Sequence, residues 1–75
     1  MKKYCVRMAS EYSHANVEYN DLHDAEIFVN TIRKINEHLD DRLKFHGWIT
    51  CWEGYQLEDE SYVTTSAKLV SGSEF

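Results

Sequence analysis

The chain has 75 residues, of which 43% are hydrophobic and 28% charged, and thirteen carboxylates against eight Lys and Arg set the net charge at -5 at pH 7. A chain this short forms one domain around one core and buries only about 60% of the surface its unfolded form exposes. The acidic balance argues against direct binding to a phosphate backbone, where Lys and Arg dominate affinity, and no apolar run of ~18 residues marks a membrane span or an export signal.

From Lys2 to Tyr12 the residues alternate, with Tyr4, Val6 and Met8 on one side and Cys5, Arg7, Ala9 and Glu11 on the other, the period of a half-buried strand. Ser13 to Asn16 reads as a turn and Val17 to Tyr19 as a short return strand, making an amino-terminal hairpin. Asn20-Asp21 then supplies a cap, and Asp24 in the first turn favours the positive end of a helix dipole. The helix is expected to run to about Leu39, because Ala25, Phe28, Ile32, Ile35 and Leu39, widened by Val29, recur at spacings of three and four along one stripe. With no proline in the chain, nothing breaks it.

After Asp40-Asp41 the pattern turns extended again, with a strand expected from Trp48 to about Leu57 and its partner from Tyr62 to Val70. A four-residue connection through Glu58 to Ser61 would place Leu57 opposite Tyr62, Trp52 opposite Ala67 and Thr50 opposite Leu69. A domain of this size has only ~3–5 kcal/mol to spare, and large aromatic rings fill a small interior economically. Trp48 and Trp52, with Val63, Ala67 and Leu69, are therefore expected to face the helix, leaving Ile49, Cys51, Glu53, Tyr55 and Tyr62 outside. The expected fold is α+β, an antiparallel sheet of three or four strands with one α-helix packed on one face, in the order β(β)αββ. Residues 1–71 make the single domain, and Gly72-Ser73-Glu74-Phe75 reads like what two adjacent cloning sites encode, so it is set outside the fold.

Cys5 and Cys51 are too few for the disulfide frameworks of small secreted domains. Free thiols in a reducing cytoplasm are expected, although both cysteines on the outer sheet face of neighbouring strands could bridge. The four histidines, His14, His23, His38 and His46, form no CxxC or HxxxH pair, so no metal site is expected. His46 and Cys51 lie five residues apart along a strand, roughly 16 Å, too far for a nucleophile and its base. None of the three glycines forms a phosphate-binding loop. Enzymatic activity and a cofactor are accordingly not expected.

Surface remains. Carboxylates gather at Glu18, Asp21, Asp24 and Glu26, at Glu37, Asp40 and Asp41, and at Glu53, Glu58, Asp59 and Glu60. The first group suits a helix start, whereas the second stands at the negative end of the helix, where local stability does not call for it. Tyr55 and Tyr62 beside the third group add interface-type aromatic area to the negative charge. The Glu58-Asp59-Glu60 turn, the Asp40-Asp41 pair and the compact, proline-free acidic body resemble the small phage-encoded anti-CRISPR inhibitors. That resemblance implies a cytoplasmic protein of a bacterial host that binds a CRISPR effector and blocks its access to target nucleic acid. The expectation is a non-enzymatic protein that covers a basic nucleic-acid-binding surface with Glu53, Tyr55, Glu58, Asp59, Glu60 and Tyr62, and with Asp40 and Asp41. The alternative is a self-associating module that pairs its uncovered sheet face with a second copy, burying Ile49, Tyr55 and Tyr62.

Overall fold

A computed structural model describes all 75 residues. The elements are β1 (Lys2–Ala9), β2 (His14–Tyr19), α1 (Leu22–Asn36), β3 (His46–Gln56) and β4 (Tyr62–Leu69). The four strands form one antiparallel sheet in the order β2-β1-β3-β4, so the fold is α+β with a single helix. The amino-terminal strand thus lies inside the sheet, between its hairpin mate and β3.

Local chemistry sets most of the boundaries. β1 stops at Ala9 rather than Tyr12 because Ser10 turns the chain: its hydroxyl accepts from the backbone N–H of Tyr12 and Ser13 at 3.3 and 3.2 Å. β2 therefore begins at His14, earlier than expected. Asp21 caps α1, its carboxylate accepting from the His23 N–H at 2.8 Å. The helix ends at Asn36, not Leu39, because the Asn36 amide latches the following loop. Its Nδ2 donates to the Phe45 carbonyl at 2.8 Å and its Oδ1 accepts from the Phe45 N–H at 2.9 Å. Ile35, expected in the apolar stripe, is consequently exposed, and the buried stripe is Ala25, Val29 and Ile32.

The core is small. Val6 and Ile49, directly opposite one another on β1 and β3, are sealed beneath Ala25 and Val29. Tyr4, Tyr19, Leu22 and Phe28 close around them, with the Tyr19 and Phe28 rings tilted at 43° and their centroids 5.9 Å apart.

This pairing corrects the expected faces of the last hairpin. Ile49 faces the helix, and by alternation so does Cys51, while Trp48 and Trp52 point to the open side of the sheet, Trp48 with 43% of its surface in water. Ala67 and Leu69, opposite Trp52 and Thr50, go with the tryptophans. The physical reason is that the strand beside β3 is β1: once Val6 faces the helix, its partner must do the same, and the thin layer beneath Ala25 and Val29 accommodates a β-branched side chain, not an indole. The register itself is as expected at Trp52–Ala67 and Thr50–Leu69, but Tyr62 pairs with Gln56 in place of Leu57, because an irregularity at Glu53/Gly54 absorbs one residue of β4. Gly54 makes this close approach feasible, since a Cβ there would lie 1.9 Å from the Val63 carbonyl oxygen.

Residues 72–75 pack onto the domain. Gly72 takes φ 75°, in the left-handed region, and turns the chain back towards β3. The buried Ser73 hydroxyl accepts from the Ile49 N–H at 3.0 Å and donates to the Val70 carbonyl at 2.6 Å. Phe75 and Gly47 exchange backbone hydrogen bonds at 3.1 and 3.0 Å, and the Phe75 side chain lies against the core. Arg33 on the helix donates to the Glu74 carbonyl at 2.9 Å. The tail thereby runs along the edge of β3 beyond β4 and adds the Phe75 side chain to the core beside α1, which lies over β1 and β2.

Replacing Ile49 by Ala should cost about 2–5 kcal/mol, enough to abolish cooperative unfolding in a domain of this size. Trp48→Ala should cost less. Thermal melts of the two variants check the order, which is the reverse of that expected for buried tryptophans.

Candidate functional site

The β3–β4 hairpin outruns the rest of the sheet. The last row spanning β1 has Met1 and Gly54 exchanging backbone hydrogen bonds at 3.0 and 3.1 Å. Past it, from Tyr55 to Val63, only two strands continue, and apart from Tyr62 and Val63 at the base their residues are exposed. This prong accounts for part of the elongated shape, 45 × 23 × 16 Å. Its tip is closed by Leu57 N–H to Ser61 carbonyl at 2.8 Å and Glu60 N–H to Leu57 carbonyl at 3.0 Å, with Glu60 at φ 70°, unusual for a residue with a Cβ. The Asp59 carboxylate accepts from the Ser61 hydroxyl and from the Ser61 N–H at 3.1 Å. Those bonds, the hydroxyl's first, hold the Asp59 carboxyl below its ordinary value, so it stays ionised well into acid. Glu58, Asp59 and Glu60 are all exposed, and none forms a salt bridge. Tyr55, 53% exposed, and Leu57 add apolar surface to the same prong.

The expected contact residues fall in separate places. Glu53 sits at the base of the prong, its carboxylate 3.5 Å from Lys2 Nζ. Tyr62, opposite Gln56, lies on the open side of the sheet, the face opposite to Tyr55. It is held there: its hydroxyl donates to the Met1 carbonyl at 3.0 Å, and Lys3 Nζ stands 4.6 Å from its ring centroid. Asp40 and Asp41 follow α1 at the other end of the molecule, beyond the Ala9–His46 row, on the order of 20 Å or more from the prong. Asp41 already pairs with Lys44 at 3.1 Å, which accounts for one carboxylate of the pair, whereas Asp40 contributes only its backbone carbonyl to the turn, accepting from the Leu43 N–H at 2.8 Å. Tyr55 and the Glu58-Asp59-Glu60 tip share the prong; Tyr62, Asp40 and Asp41 do not join them.

A second surface was missed at the sequence level. The sheet face away from the helix carries Trp48 and Trp52 on β3, Lys3 and Arg7 beside them on β1, and Leu69, 52% exposed, on β4. Arg7 lies directly opposite Trp48, and Lys3 opposite Trp52. The signal was present in β1: Lys3, Cys5 and Arg7 alternate with helix-facing Tyr4 and Val6, and residues paired with them must look the same way. Cys5 is buried on this face, where the diagonally adjacent indoles can cover it. Burial raises its thiol pKa and the nearby Glu18 adds to the rise, while Arg7 opposes it. Cys51, opposite Tyr4, points to the helix side, so the two thiols lie on opposite faces of neighbouring strands and cannot bridge.

A cleft of about 200 Å³ lies between α1 and the tail, lined by Glu26, Asn30, Arg33 and Ser73 among others, below the several hundred Å³ usual for small-molecule sites. No group of three His, Cys, Asp or Glu side chains is placed to hold a metal ion, and no helix is long and apolar enough to cross a membrane.

Thiol labelling of the native protein should modify Cys51 faster than Cys5, and denaturation should equalise them. Equal native rates would contradict the placement of Cys5. An NMR titration should find the Asp59 carboxyl below 3.8, moving towards that value in Ser61→Ala. Because its folded value is depressed, the stability it contributes is present above the unfolded pKa and is lost as pH falls through the folded one. No protein-family model, curated protein or solved structure matches the chain.

Proposed function

We propose that the protein is a non-enzymatic binding protein whose acidic β3–β4 prong occupies a basic nucleic-acid-binding surface of a protein partner and so blocks access of the nucleic acid. The observation that carries this reading is the prong itself, with three exposed carboxylates in no salt bridge and no cation between Tyr55 and Val63, projecting as a two-stranded ribbon past the body of the domain. A groove built for phosphates is lined with Lys and Arg, and a narrow carboxylate-bearing ribbon complements it in charge and in width. Tyr55 and Leu57, on the same ribbon, supply apolar area that desolvates the contact and slows release. The resemblance to inhibitors of CRISPR effectors points to a nuclease of a bacterial defence system as that partner, and hence to the cytoplasm of a bacterial host. Neither a cofactor nor a metal has a part in this reading.

The test is a comparison of the wild type with a variant carrying Glu58→Lys, Asp59→Lys and Glu60→Lys. The wild type should capture a nucleic-acid-binding protein from bacterial lysate at low salt, release it as salt rises, and compete with DNA or RNA for it. The charge-reversed variant should lose capture by at least tenfold. Equal capture by both proteins would remove the prong from the contact.

A further inference from the structure

The open face of the sheet belongs to neither the core nor the prong, and its pattern is ordered. On β1 the outward residues are Lys3, Cys5 and Arg7; on β3, at the same heights, they are Trp52, Thr50 and Trp48. A column of cations therefore runs beside a column of indoles, in register. The charges on this face are Lys3, Arg7 and one carboxylate, Glu18 of β2, opposite Cys5, whereas the chain as a whole is strongly acidic. With two cations to one carboxylate, it is a surface on which a second acidic copy meets little of its own negative charge.

We infer that this face binds a second copy of the chain, through a two-fold axis that runs parallel to the strands midway between β1 and β3. Rotation about that axis lays β1 of one protomer over β3 of the other and leaves every row at its own height. Arg7 then meets the partner's Trp48, and Lys3, which stands over Tyr62 at 4.6 Å from its ring centroid, comes level with the partner's Trp52, while Cys5 stays buried in the row between them. The pattern is thus self-complementary, as an isologous interface requires. A guanidinium over an indole is the most favourable cation–aromatic pairing, and Arg stacks flat on the ring. Packed sheets stand ~10 Å apart and cross at about 30°, an angle that keeps the two central strands in contact. Glu18 and Leu69 lie in the Cys5–Thr50 row on the two outer strands, so the exposed Glu18 carboxylate stands at the side edge of the contact, within reach of water.

The area sets the strength. Four strands at ~4.8 Å spacing and eight residues at ~3.4 Å rise cover roughly 500 Å² of footprint on each copy. The pair would bury about 1,000 Å², the lower edge of specific interfaces. An interface of that size suits a reversible dimer, and not an obligate one. Single-stranded nucleic acid, which also stacks on sheet aromatics, is the less favoured occupant: two cations beside a carboxylate neutralise few phosphates.

Analytical ultracentrifugation of the full chain from about 1 to 500 μM, concentrations at which a weak reversible dimer dissociates, tests this. The wild type should pass from monomer to dimer across the range, and quenching of indole fluorescence by acrylamide should fall as the dimer forms. Arg7→Glu and, independently, Thr50→Lys should each weaken association at least tenfold while keeping the circular dichroism of the folded domain. The prong variant with Glu58, Asp59 and Glu60 changed to Lys should dimerise like the wild type, so this inference and the proposed function fail separately. A concentration-independent monomer would overturn the inference, as would a dimer indifferent to both face substitutions. So would tight binding of a fluorescent oligo-dT or oligo-U to monomers that Arg7→Glu abolishes.

Discussion

The structure depends on one cross-strand contact, Val6 against Ile49, capped by Ala25 and Val29. In a domain with so little buried volume, the pair that seals the centre dictates the orientation of everything in the same rows, because a strand that shows one residue inward shows its neighbours outward. With Ile49 in, Trp48 and Trp52 must be out. The same contact recruits the tail: the Ile49 backbone is satisfied on its far side by Ser73 and by the Val70 N–H, which brings Phe75 onto the core. The helix lies over β1 and β2, and the tail, paired along the edge of β3, adds Phe75 to the same core. Four terminal residues thus have a structural role out of proportion to their number, since an unsatisfied buried backbone group would cost about as much as a typical core substitution.

The consequence is a division of labour between surfaces. The helix side is committed to packing, and the open side carries aromatics and cations without being part of the core. The prong exists because β3 and β4 continue where β1 ends, and because Gly54 lets the two strands approach across an irregularity in the ladder. Tyr62 ties its base to Met1 and Lys3 and the Asp59 carboxylate closes its tip through Ser61, whereas Tyr55, Glu58 and Glu60 are exposed and contribute little to folding. Their presence is not explained by stability, which is what makes the prong a candidate for binding.

How much of this was legible from the residues follows from how local each feature is. The helix start at Asp21 and the pairing of Trp52 with Ala67 are set within a few residues by capping and by a short turn, and both were readable. The helix end was not, because it is fixed by the Asn36 side chain reaching Phe45, a contact invisible to periodicity. The faces of the last hairpin were inverted for the same reason on a larger scale. Alternation grouped the residues of β3 correctly but not which group was inward, and the strand that decides it, β1, lies more than forty positions away; on β4 the irregularity at Glu53/Gly54 also moved Tyr62 and Val63 out of their expected groups. Assigning the largest aromatics to the core was the wrong arbiter, since a layer between a helix rich in small residues and a sheet favours compact, β-branched side chains. Of the contact residues, those within the turn stayed together, whereas Tyr62 and the Asp40-Asp41 pair were separated by sheet geometry that no spacing encodes.

The two surfaces also bear on one another. A two-fold axis parallel to the strands does not reverse their direction, so the prongs of two associated protomers would project from the same end of the pair, side by side. Each prong is narrow and carries three carboxylates; two held at a fixed separation present a fork whose second arm engages at high effective concentration once the first is seated. A weak dimer and a modest charge contact can then combine into tight occupation of an elongated basic groove without either being strong alone. An axis perpendicular to the sheet's strands would instead have sent the prongs to opposite ends, and the in-register columns of cation and indole on β1 and β3 are what select between the two arrangements.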